Sequence, residues 1–94
     1  MASAPVFVQN LVDALQKNLG EAGLECEVTI EPVEGTRMFR FFVISDGFGA
    51  MQHSERQTVV WRIADRSLPD VDVMKVSMIM TLTRAEFGEG EGSE

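Results

Sequence analysis

Three side chains with chemical reach stand four residues apart: His53, Gln57 and Trp61. An imidazole can ligate a metal or carry a proton, a carboxamide donates and accepts hydrogen bonds, and an indole is enriched where proteins meet. On a helix this spacing places all three on one line. Two readings compete. In the plainer one, His53 is a partly exposed residue near a helix start, Gln57 works as a cap, and Trp61 covers the margin of a core. In the sharper one, the row faces a partner.

Cys26 is the one cysteine and His53 the one histidine. Cys26 alternates with Leu24, Val28 and Ile30, so it is read as a small core residue whose buried thiol is inert. One Cys and one His on separate elements predict no tight binding of iron or zinc, and no cofactor. Nucleophilic catalysis needs a nucleophile beside an oriented base, and nothing in the sequence brings Cys26 to His53. The acids show no pairing beyond strand alternation, and no phosphate-binding glycine loop is present. An enzyme is not expected.

The composition narrows the partners. The 94 residues make one domain, and 45% hydrophobic content supplies a modest core. Fifteen acids against eight basic residues give a net charge of −7. Nucleic-acid binding draws on cations that neutralise phosphates, so this balance opposes it. Gly20-Glu21-Ala22-Gly23 spells the GxxG of KH loops, but it follows a helix, precedes a strand and carries an acid; it reads as a helix stop. No basic start with an apolar run and no bilayer-length apolar run occurs, so a cytoplasmic location away from membranes is expected.

The elements that must position these residues follow from periodicity. Val8, Leu11, Val12, Leu15 and Leu19 predict a helix that begins at Pro5 and ends at Gly20 or Gly23. Leu24–Glu31 alternates apolar and mostly acidic residues, a strand with one buried face. Pro32–Thr36 is a hairpin connection. Arg37–Ile44 is apolar on both faces, which marks a central strand. Ser45-Asp46-Gly47 is a turn. Ser54-Glu55-Arg56-Gln57 matches a capping box, and Val59, Val60, Ile63 and Ala64 form the stripe of a second helix that stops near Pro69. Val71–Leu82 predicts a third strand, with Met74, Val76, Met78, Met80 and Leu82 packed under the helices. Thr83-Arg84-Ala85-Glu86 is another capping box, for a short helix through Phe87. Met1–Ala4 is expected to be loose, and Gly88–Glu94 to be a disordered acidic tail.

If Val28 and Ile30 face the helices, Glu25, Glu27 and Glu31 face away. The central strand then offers that open face either Arg37, Phe39, Phe41 and Val43 or Met38, Arg40, Phe42 and Ile44. The third strand offers Lys75, Ser77, Ile79 and Thr81. An uncovered apolar cluster rimmed by charge marks an interaction surface. Arg40, Phe42 and Ile79 therefore join His53, Gln57 and Trp61 as candidate partner-binding residues, for a second copy or another protein.

This order of elements, with Val43-Ile44-Ser45-Asp46-Gly47-Phe48, Arg56, Val60, Met74–Thr83 and Glu86-Phe87, resembles the BolA family, small proteins with a KH-like fold. The resemblance runs from the first helix to Phe87. It implies an α+β domain over residues 1–87. The element order itself predicts a three-stranded mixed sheet, with the first two strands antiparallel and the third parallel to the second through the helical crossover. The helices lie on one face. BolA-like proteins typically carry Arg-His-Arg on the helix, and that histidine can ligate a [2Fe-2S] cluster shared with a monothiol glutaredoxin. Here the triplet is Arg56-Gln57-Thr58, and a carboxamide is a poor ligand for cluster iron. The loop Pro32–Thr36 lacks the second histidine or cysteine that often lies there. The expectation is a non-enzymatic interaction or regulatory module without metal or cluster ligands. One alternative is an iron–sulfur or redox adaptor acting with a glutaredoxin-like partner, with His53 substituting. A further alternative is a KH-like nucleic-acid binder.

Overall fold

The computed structural model describes residues 5–92. The expected loose start, Met1–Ala4, and the last two residues of the expected tail lie outside them. Helix α1 spans Val6–Glu21 behind Pro5, and buries Phe7, Val8, Leu11, Leu15 and Leu19. It ends in a Schellman arrangement. The Leu24 N–H donates to Leu19 O at 2.7 Å, and the Gly23 N–H to Gly20 O at 3.0 Å. Gly23 takes the left-handed conformation this closure needs, with φ +83°. Of the two glycines that could stop the helix, Gly23 makes the turn.

Strands β1 (Glu27–Pro32), β2 (Phe39–Ile44) and β3 (Val76–Leu82) form one sheet in the order β1-β2-β3. β1 and β2 are antiparallel, β2 and β3 parallel, as the sequence pattern implies. Helix α2 spans His53–Ser67 and supplies the crossover. Phe41 and Val43 of β2 sit in one core with Val60 and Ala64 of α2 and the buried stripe of α1. Phe7 meets Phe39 edge to face, with ring centroids 5.8 Å apart. No helix among the described residues is long and apolar enough to cross a membrane.

Four expectations are corrected. First, β3 starts at Val76, because residues Asp70–Val73 form a single helical turn, α3. Pro69 opens that turn, and its carbonyl accepts the N–H groups of Asp72 and Val73 at 2.9 and 3.1 Å. Acids at the start of a helix interact well with its positive end, so Asp-Val-Asp-Val follows the helix signal over its own alternation. Second, the register slips between Phe39 and Arg40, which pair with Val76 and Met78 and leave Ser77 without a partner. A bulge of this kind inverts the faces of everything beyond it. Val76 stays in the core, but Ile79 and Thr81 then turn inward while Met78 and Met80 turn outward, 41% and 37% exposed. The methionines therefore do not pack under the helices, and Ile79 is not on the open face.

Third, α2 starts at His53, one residue before the expected Ser54 box. Its N-cap is Gln52, whose N–H donates to Glu55 Oε1 at 2.9 Å. The 3-10 helix Asp46–Ala50 buries Phe48 and delivers extended Met51 and Gln52 to that point. Fourth, the last helix, α4, spans Arg84–Gly92 and so passes Phe87. Its predicted capping box is present: the Thr83 N–H donates to Glu86 Oε1 at 2.9 Å and the Glu86 N–H to Thr83 Oγ1 at 3.1 Å. The backbone stays helical through the Gly-Glu segment, although each glycine there costs about 1 kcal/mol of helix propensity.

Leu15 is fully buried between α1 and the sheet. Leu15→Ala is expected to lower the unfolding free energy by about 2–5 kcal/mol, read from the urea midpoint. A loss below about 1 kcal/mol would mean that α1 is not docked as described.

Candidate interaction surface

Two neighbouring residues of α2 reach across to β3. Arg56 is 3% exposed. Its Nη1 donates to Thr81 O and to Glu86 Oε1, both at 3.0 Å, and its Nε donates to Met51 O at 3.3 Å. The guanidinium also lies over the Phe48 ring, 5.7 Å from the centroid. A buried cation is tolerated only when it is paired and hydrogen-bonded, and Arg56 has both. Gln57 lies beside it. Its Nε2 donates to Ile79 O at 2.7 Å and to Thr81 Oγ1 at 3.3 Å, while its Oε1 accepts the Trp61 Nε1–H at 3.1 Å. Gln57 is therefore a brace between α2 and β3 and not a cap, because the helix start is already served by Gln52 and Glu55.

The row His53, Gln57, Trp61 is thus divided. Gln57 and Trp61 are joined to each other and half-buried, whereas His53 is exposed at the first position of α2. Cys26 is half-buried at the edge of the core, and burial raises its thiol pKa. Among the described residues, no three His, Cys, Asp or Glu side chains gather as a metal-ligand set.

On the sheet face away from α1 and α2, register places Glu27, Thr29 and Glu31 of β1 beside Ile44, Phe42 and Arg40 of β2. On the other side of β2 stand Leu82, Met80 and Met78. Of the two sets that β2 could present, the one with Arg40 and Phe42 lies on the open face, and Met78 and Met80 replace Ile79. The signal for the methionines was present, since they alternate with Ile79 and Thr81; only their side of the sheet was unreadable. Phe87 of α4 folds onto one end of this face and meets Phe42 edge to face at 6.5 Å. Ile44 is buried at that end. The other end stays open, rimmed by the Arg40–Glu31 ion pair.

The electrostatics of α4 follow from the same network. The Thr83 N–H and the Arg56 guanidinium hold the Glu86 carboxyl below its usual range. A polar cleft of about 400 Å³ lies between the end of α1 and the turn after β2, lined by Glu25, Ser45, Asp46 and Arg84. Asp46 and Arg84 are already engaged there, for the Arg84 N–H donates to Asp46 Oδ1 at 3.0 Å and the Arg84 side chain pairs with Glu27 and Asp46.

Arg56→Ala leaves Thr81 O without its donor and a void over Phe48. It is expected to cost about 3 kcal/mol by chemical denaturation; a loss under 1 kcal/mol would contradict the role given to Arg56. Because the folded pKa of Glu86 is depressed, its contribution is present above the unfolded pKa, near 4.5, and is lost as pH falls through the folded value. Glu86→Gln should therefore flatten the acid limb of the stability–pH curve below that pH and change little at pH 7 in its slope. An acid limb identical to wild type would contradict this.

No protein-family model matches the chain, and no curated protein matches it. Among solved structures, BolA1 from Arabidopsis thaliana is similar, with a TM-score of 0.61 and 22% identity over 87% of this chain and 96% of that one. At that identity the likeness speaks to architecture: this chain has a BolA-like α+β fold, with a three-stranded mixed sheet and its two long helices on one face.

Proposed function

We propose that this chain is a non-enzymatic protein-interaction or regulatory module on a BolA-like fold, and that it works without cluster ligation from α2. One observation carries the reading: the Gln57 carboxamide is spent on Ile79, Thr81 and Trp61. Its amide nitrogen donates twice and its oxygen accepts once, all within the fold, so the side chain is held in tertiary structure. Cluster iron favours thiolate or imidazole in any case. Met78 and Met80 beside Phe42 and Arg40 supply a soft apolar surface with a charged rim, suited to a protein partner or to a second copy. Nucleic acid is a poorer fit for a chain of net charge −7.

A second reading is supported by the exposure of His53 one turn before Gln57. In it, His53 substitutes as a ligand and the chain acts with a monothiol glutaredoxin-like partner. Anaerobic titration of this protein into a cluster-loaded monothiol glutaredoxin separates the two. The first reading expects the visible circular dichroism of the cluster to stay unchanged. A new spectrum that disappears with His53→Ala would carry the second.

The surface is tested by affinity capture from the native lysate with three baits. Proteins held by wild type should be retained by His53→Ala and lost with Met78→Lys/Met80→Lys. Retention by the double variant and loss with His53→Ala would contradict the open-face assignment.

A further inference from the structure

The outer edge of β3 is a strand edge that the fold treats unusually. β3 reads Val76-Ser77-Met78-Ile79-Met80-Thr81-Leu82, with no charge and no proline. An edge of this kind is a template for pairing with another chain, and charged or proline residues are the common protection. The other edge strand, β1, carries Glu27 and Glu31.

Backbone groups show how β3 is closed. Lys75 O and Leu82 O accept N–H groups from Phe39 and Ser45 at 2.9 and 2.8 Å, so they point toward β2 and its flanks. Residues along a strand alternate in the side their backbone groups face. Past the bulge, Met78, Met80 and Leu82 face β2, and Ile79 and Thr81 face outward. Those two outward carbonyls are the ones that α2 occupies, Ile79 O by Gln57 Nε2 and Thr81 O by Arg56 Nη1.

We propose that Arg56 and Gln57 guard the β3 edge against a second copy of this chain, and that loss of the Gln57 half opens it to β3–β3 pairing between two copies. A second copy is the occupant because each copy brings the same uncharged edge, and an antiparallel pair about a two-fold axis is self-complementary. Pairing through β1 would instead place glutamates of both copies together, which is unfavourable. The net charge of −7 opposes approach of two chains, so the open-edge dimer strengthens as salt screens that repulsion.

The test uses Gln57→Ala and Gln57→Asn, the second keeping the amide but withdrawing it by one methylene. Wild type, Trp61→Phe and both variants are followed by sedimentation velocity over a concentration series, with amide exchange at Ile79 and Thr81. Trp61→Phe removes the bond to Gln57 Oε1 and part of a side chain packed at the core margin, but leaves the Gln57–Ile79 bond in place, and its edge should behave as wild type. Each Gln57 variant should form a dimer that grows with protein and salt concentration. Exchange at those two amides should slow on the order of tenfold in the dimer. Folded variants that stay monomeric overturn the proposal. So does a dimer with unchanged exchange at Ile79 and Thr81, which would place self-association on the open face. Unfolding of both variants also overturns it, since Gln57 would then be a tie the fold cannot lose and not a guard.

Discussion

A guanidinium with almost no access to water must find all its partners inside the protein, and the geometry around Arg56 is the answer this chain gives. The Met51 carbonyl fixes where the 3-10 helix hands over to α2, Thr81 O fixes β3, and Glu86 fixes the start of α4. Phe48 supplies the floor. Three connections of the fold converge on one side chain, so the placement of α2 over β3 and of α4 at the sheet's end are coupled. Only the guanidinium of the Arg56–Glu86 pair is buried, the Glu86 side chain being 38% exposed, so the ion pair itself contributes little, while a buried guanidinium left without partners would be expensive. Arg56 is better understood as specifying one arrangement than as a source of stability.

That arrangement decides which surface is left over. With α4 held by Glu86, Phe87 covers the Phe42–Ile44 end of the open face, and the Met78–Arg40 end remains. With Gln57 held by β3, both amide donors of that side chain are taken and its oxygen already accepts the indole N–H. The chemistry that Gln57 and Trp61 suggest is therefore diverted into tertiary structure, His53 alone stays exposed, and the apolar surface of the sheet carries the first interaction reading.

Much of this architecture was legible, and two of the exceptions share a cause. The doubly apolar β2, the Leu and Val stripe of α1 and the Thr83–Glu86 box are local patterns whose meaning does not depend on distant residues. The bulge at Ser77 is different. It exists because Phe39 and Arg40 pair with Val76 and Met78, and no alternation within β3 announces it. Extending the alternation through it put the methionines inside and Ile79 outside. Gln57 fails for a related reason: a polar side chain beside a helix stripe reads as a cap or as surface until the outward carbonyls of β3 are in place. Asp70–Val73 was ambiguous locally, since valine alternation and Pro-Asp helix initiation point opposite ways. Element order and the helical crossover supplied the topology; the resemblance added the altered triplet but could not say what Gln57 does instead.

The central claim is that the Gln57 carboxamide is bound into the fold through β3. Nuclear magnetic resonance of the side-chain amide tests it most directly. The Gln57 Nε2 protons should exchange with water far more slowly than those of exposed Gln16. They should also show a through-hydrogen-bond coupling to the Ile79 carbonyl carbon. A Gln57 amide that exchanges as fast as Gln16, with no coupling to Ile79, would contradict the account.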